Sequence, residues 1–187
     1  MADETYNHEE VKALIHKAKN GDSEAYGEVY RAYYTPVYRY IYLRTKSRDQ
    51  AEDLAQTVFM KVYKSLSNLE TTSTSPLAYF FTVARNTIID HWRKEGHGTV
   101  YDDEVVASQS DKEQDTMESF ETKESKELVH QALGILTEEQ QEVMRLKFIS
   151  DLSTKDIATM LEKSEEAVRQ LQSRALKLLR AYFKRES

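Results

Sequence analysis

Tyr79, Thr82, Asn86, Asp90 and Arg93 recur at spacings of three and four residues, which puts them on one side of a helix turning 100° per residue. Together they offer a ring that can stack on a base and hydroxyl, amide, carboxylate and guanidinium groups that can donate or accept at base edges. The opposite side of the same stretch carries Leu77, Phe81, Ala84, Ile88 and Trp92, a pattern suited to burial. A second set lies near the C-terminus. There Arg169, Ser173, Lys177, Arg180 and Lys184 share a side, flanked by Gln170 and Arg174, with Val168, Leu171, Ala175, Leu178 and Tyr182 opposite. Arg, Gln and Ser near the start of a helix suit base edges in a major groove, and basic residues further along suit phosphates. Each set also has a plainer reading, an ordinary solvated face, and neither decides the matter alone.

The elements that must position these side chains are helices. Ala25, Val29, Tyr33, Val37, Tyr40 and Ile41 mark one, with Asp22 or Ser23 placed to cap it and Pro36 expected to bend or interrupt it. Ser47 and Gln50 form a capping-box pair ahead of the stripe Ala51, Leu54, Ala55, Val58, Phe59, Val62 and Leu66. Ser75 followed by Pro76 starts the helix of the first set. Further on, "KELVHQALGIL" reads as a helix, Thr137 with Gln140 and Ser153 with Asp156 cap two more, and Ser164 caps the last. The short "EKS" between the final two helices suggests a helix-turn-helix; a structural helical pair is the alternative.

Composition narrows the class. With only five Gly and two Pro in 187 residues and 40% hydrophobic content, helix formers prevail and an all-α protein is expected. No cysteine is present, which excludes disulfides and cysteine-ligated zinc and fits a reducing compartment. No apolar run approaches the ~20 residues that span a bilayer, and the acidic "MADETYNHEE" is unlike a secretory signal, so a cytoplasmic protein without membrane insertion is expected. The five histidines are scattered and there is no Gly-rich phosphate loop or metal-spaced cluster, so neither an enzyme nor a metal or other cofactor is expected.

The formal net charge is −6, but residues 101–127 hold ten acids against three bases, which leaves the rest of the chain at +1. Residues 163–187 carry seven bases against three acids. The stretch 96–125 is polar, acidic and poor in large apolar residues, a composition that cannot offset its ordering entropy. It reads as a flexible linker between helical domains at 1–95 and 126–187; a long surface loop within one domain is the alternative.

In this order the segments resemble the extracytoplasmic-function (ECF) group of bacterial sigma-70 factors, over nearly the whole chain. "DQAEDLAQTVFMKVYKSL" is similar to region 2.2, "SPLAYFFTVARNTIIDHWRK" to regions 2.3 and 2.4, and "LTEEQQEVMRLKFISDLSTKDIATMLEKSEEAVRQLQSRALKLL" to region 4. The resemblance implies a region 2 helical bundle and a region 4 helix-turn-helix, and core RNA polymerase (β′ clamp helices and β flap), promoter DNA and an anti-sigma factor as partners. It implies that Asp49, Glu52, Asp53 and Gln56 meet the clamp helices. For the −10 element it implies a flipped base held by the loop 68–75, including Asn68, and by the following helix. Asn86 and Asp90 match base-contacting positions, Tyr79 stands where many members have Trp, and Arg85, Arg93 and Lys94 would hold phosphates. For the −35 element it implies Lys163, Arg169, Gln170, Ser173 and Arg174, with Lys177 beside them. One departure is Glu162, where many relatives have Gly, so strain is expected if that turn needs positive φ. The rival reading is a conventional helix-turn-helix regulator that binds duplex operators and recruits no polymerase.

Overall fold

The computed structural model describes residues 7–45, 47–69, 75–95, 123–148, 150 and 152–186. The chain falls into two units, Met1–Ser108 and Gln109–Ser187. The described residues of the first form helices α1 (His8–Lys19), α2 (Ser23–Thr45), α3 (Arg48–Lys64) and α4 (Pro76–Lys94), with a 3-10 turn at Leu66–Asn68. Those of the second form α5 (Lys123–Gly134), α6 (Glu138–Phe148), α7 (Thr154–Met160) and α8 (Glu165–Glu186). The linker expected at 96–125 lies, up to residue 122, outside the described residues.

Helix α1 has the plainest local cause. Asn7 accepts from the amides of Glu9 and Glu10 at 3.0 Å while Glu10 accepts from the Asn7 amide at 2.8 Å, a reciprocal cap. Val11, Ile15 and Ala18 bury its inner side. It ends at Gly21, whose φ of +94° lets the amides of Gly21 and Asp22 turn back on the carbonyls of Ala18 and Lys17. Asp22 then caps α2, accepting from the Ala25 amide at 3.0 Å.

Helix α2 runs through Pro36 without interruption, so of the bend or break expected there the break does not occur. A proline in a helix forfeits one backbone hydrogen bond and crowds the preceding turn; the burial of Val29, Tyr33, Val37, Tyr40 and Ile41 along this helix holds it together. Its outer flank carries a tyrosine stack, Tyr30, Tyr34, Tyr38 and Tyr42, each ring 5.0–6.1 Å from the next and within 24° of parallel. A four-residue period brings such rings together, and Phe59 of α3 packs against the Tyr30 ring at 4.6 Å.

Helix α4 buries a wider arc than a single stripe. Phe81, Ala84 and Ile88 are buried as expected, but Leu77 and Trp92 are only half-buried, and Ala78, Phe80 and Thr87 are buried too. The reason is that α4 meets two neighbours: Phe80 lies against Tyr33 of α2 and Phe59 of α3, and Phe81 lies edge-on to Tyr40 of α2. Each such ring contributes roughly 1.5–3 kcal/mol through burial. Near the C-terminal end Arg44 of α2 covers the Trp92 ring at 5.1 Å. Tyr33 is buried, yet its hydroxyl has no partner among the described residues, and burial pushes its ionisation upward. Tyr33→Phe removes an unpaired buried group, so the variant is expected to be more stable by roughly 1 kcal/mol in denaturant unfolding.

In the second unit the caps read from sequence are in place. Thr137 and Gln140 exchange bonds at 3.0 and 3.4 Å, Ser153 accepts from the Asp156 amide at 3.1 Å, and Ser164 accepts from that of Ala167 at 3.1 Å. Leu136, Met144 and Ala175 form a small core with Leu133, Leu176 and Leu179 packed against it. Leu178, expected on the buried side of α8, is exposed instead. Eleven residues beyond Val168 return to nearly the same helical angle and ten do not, so Leu179 takes that place.

Glu162 has φ of +53°. It closes α7 as Gly21 closes α1: the Glu162 amide reaches Thr159 O at 3.4 Å and the Lys163 amide reaches Ala158 O at 2.9 Å. The strain foreseen from its type is therefore present. A left-handed conformation costs an L-residue roughly 1–2 kcal/mol, offset in part by the greater unfolded freedom of Gly. Glu162→Gly is expected to raise the stability of the full chain against urea by roughly 0.5–1 kcal/mol; an unchanged or lowered midpoint contradicts this.

Candidate nucleic-acid and polymerase interfaces

Three polar rows lie on the surfaces these helices leave uncovered. On α3, Asp49, Asp53 and Gln56 are exposed and Glu52 is half-exposed, because Ala51, Leu54, Ala55 and Val58 turn the other way into the core. Glu52 accepts from Arg48 at 2.9 Å. Its charge also reaches the tyrosine stack: burial first, and then the Glu52 carboxylate, push the Tyr38 hydroxyl up to about 12. This row joins a carboxylate-rich edge to a half-buried aromatic flank, suited to a partner that carries basic side chains.

On α4, Asn86, Asp90 and Arg93 are exposed, while Tyr79, Thr82 and Arg85 are half-buried. The Tyr79 hydroxyl bonds to Ser65 Oγ at 2.9 Å, and Ser65 in turn donates to Lys61 O at 2.9 Å. That ties the first turn of α4 to the end of α3. Thr82 donates to Ala78 O at 2.9 Å, so its hydroxyl serves its own helix. Asp90 has Lys61 Nζ and Arg93 Nη1 each 3.9 Å from one of its oxygens, and Lys61 also donates to Thr87 Oγ1 at 3.1 Å. Asn68 is exposed at the end of the 3-10 turn, followed by buried Leu69. Lys19 of α1 donates to Leu69 O at 2.6 Å. Residues 70–74 of the expected −10 loop lie outside the described residues.

On α8, Arg169, Gln170, Ser173, Arg174 and Lys177 are all exposed. Arg169 donates to Glu165 at 2.8 Å and to Glu166 at 3.4 Å, and Gln170 donates to Glu166 at 3.3 Å. Lys163 pairs with Glu139 of α6 at 2.5 Å. Sequence reasoning passed over Lys61, Ser65, Lys19, Glu165 and Glu166. For the first two a signal existed: Asp53, Thr57, Lys61 and Ser65 continue one i+4 row along α3. Among the described residues no cluster of His, Cys, Asp or Glu could hold a metal ion, and no helix is long and apolar enough to cross a membrane.

The described residues thus form a four-helix unit and a helix-turn-helix unit, each with polar rows on its helix surfaces. Residues 29–98 match the family described as Sigma-70 region 2, and residues 132–181 match Sigma-70, region 4. The ECF RNA polymerase sigma factor ShbA of Streptomyces griseus is 30% identical over 183 residues, covering 91% of this chain and 94% of that protein. The ECF RNA polymerase sigma factor BldN of Streptomyces coelicolor is 28% identical over 166 residues, covering 89% of this chain; the match spans 63% of BldN's length. Among solved structures, the sigma factor RpoE in complex with the anti-sigma factor NepR from Bartonella quintana has a similar fold. Its TM-score is 0.65 at 23% identity, over 84% of this chain and 96% of that one. The chain belongs to the ECF group of the sigma-70 family and is an alternative RNA polymerase sigma factor.

Proposed function

We propose that the first unit binds core RNA polymerase and opens the −10 element, and that the second reads the −35 element. In this reading Asp49, Glu52, Asp53 and Gln56 meet the β′ clamp helices, and the helix-turn-helix unit also meets the β flap. Asn86 and Asp90 contact an unpaired base, the Tyr79 ring flanks it, and Arg85, Arg93 and Asn68 line its approach. Arg169, Gln170, Ser173, Arg174, Lys177 and Lys163 face the upstream duplex. The observation that carries this reading is the outer side of α4. Asn86 and Asp90 are exposed while Phe81, Ala84 and Ile88 one side away are buried, so packing gives no reason for an amide and a carboxylate there. The protein acts in the cytoplasm, performs no catalysis itself, and is restrained by an anti-sigma factor, as in the RpoE complex with NepR.

The test is reconstitution with core RNA polymerase. The chain is expected to bind core enzyme and to direct transcripts from a defined start on promoter DNA, mapped at nucleotide resolution. Strong binding to duplex promoter without core, and no transcript with it, would instead identify a conventional helix-turn-helix regulator.

A further inference from the structure

Lys61 stands where α3 reaches the middle of the polar row of α4, one turn before the Ser65–Tyr79 contact. Its ammonium donates to the hydroxyl of Thr87, which is 3% exposed, and lies 3.9 Å from Asp90 Oδ2. On the other side of the carboxylate, Arg93 Nη1 lies 3.9 Å from Oδ1. Exposed ion pairs of this kind contribute little to stability, and the Lys61 and Asp90 side chains are 46% and 52% exposed. A fold-stabilising role is thus a weak reason for the arrangement. Geometry gives a better one. The bond to buried Thr87 anchors the ammonium from the protein side and places it 3.9 Å from one oxygen of a carboxylate that lies one helical turn beyond Asn86 and whose other oxygen is 3.9 Å from Arg93.

A carboxylate is an acceptor only. Among the base edges that an unpaired strand exposes it favours those with an exocyclic amine, which cytosine, adenine and guanine carry and thymine lacks, the ring N–H of thymine lying between two carbonyls. Building on the −10 reading above, we infer that Lys61 is a positioning residue for Asp90, and that the pair selects a base with an exocyclic amine, against thymine, at one position of the unpaired promoter strand. Arg93 alone leaves the carboxylate free to turn. Lys61 supplies the second constraint and sets which way the acceptor points.

The test uses the full chain bound to core RNA polymerase and a single-stranded −10 oligonucleotide pool randomised at each position, with bound species sequenced. The wild type is expected to favour amine-bearing bases over thymine at one position by on the order of fivefold to tenfold. Lys61→Met is expected to lose that preference while preferences at the other positions, affinity for core enzyme and thermal midpoint hold. Lys61→Arg keeps a cation and is expected to restore part of it. Asp90→Ala is expected to lose the same preference, and the Lys61→Met/Asp90→Ala double variant to be no worse than Asp90→Ala. Uniform weakening of all sequences by Lys61→Met, with the salt slope falling by about one, would reduce Lys61 to a phosphate contact and overturn the inference. An intact preference in Lys61→Met would overturn it as well. If Asp90→Ala itself keeps the preference, it is the assignment of Asp90 to the −10 strand that fails.

Discussion

Asn86→Ala is expected to slow open-complex formation on a fully duplex promoter by roughly one to two orders of magnitude, and to cost much less on a template already unpaired at the −10 element. Extruding a base from the stack costs a few kcal/mol. Edge hydrogen bonds and stacking, each worth about 1–3 kcal/mol, recover that cost when the base is captured. Removing the amide takes away part of the recovery at the step where the duplex must open, whereas a premelted template has no extrusion step left to drive. Folding should not suffer, because Asn86 is exposed and Ala is the better helix former. Rates measured on the two templates with the same core enzyme decide the matter, and equal defects on both would remove the base-capture role of α4.

Arg174→Ala is expected to weaken binding to the upstream element by roughly 1–3 kcal/mol, a loss of about fivefold to 150-fold, with core binding unchanged. The choice of Arg174 over Arg169 rests on what each holds. Arg169 donates to both Glu165 and Glu166, so engagement with a guanine edge must first displace two carboxylates, and its net contribution is smaller. Arg174 is exposed and makes no ion pair among the described residues. Affinities for a −35 duplex and its single-base variants, measured at fixed salt, separate base reading from phosphate contact. Base reading relaxes discrimination at one position, whereas phosphate contact lowers all affinities together. Loss of core binding in Arg174→Ala would contradict the division of labour between the two units.

How far the sequence disclosed this molecule depended on how wide an arc each helix buries. Helix α3 packs one stripe inward, and Ala51 through Val62 were legible from spacing alone. Helix α4 buries a wider arc that includes Phe80 and Thr87, which no single stripe predicts. Helix α1 was missed although Asn7 and Glu10 form a full reciprocal cap and Val11, Ile15 and Ala18 mark its inner side; that signal is short and sits in a polar surround. The ties that shape the α4 row, Tyr79 to Ser65 and Lys61 to Thr87, join residues 14 and 26 positions apart. Such pairings follow from how two helices lie against each other, which local periodicity does not encode. Glu162 stood out in advance only through the resemblance, because many relatives have Gly there and a left-handed turn penalises any side chain with a Cβ.

The cover that Arg44 places on Trp92 has a practical corollary. Trp92 is the sole tryptophan of the chain, and it lies within the Met1–Ser108 unit beside a guanidinium that stays protonated in proteins. Light absorbed at the red edge of the near-ultraviolet therefore interrogates one half of the molecule and passes over the other. Melting of the Met1–Ser108 unit can be followed by intrinsic emission while circular dichroism records both, and the gap between the two curves measures how independently the halves come apart.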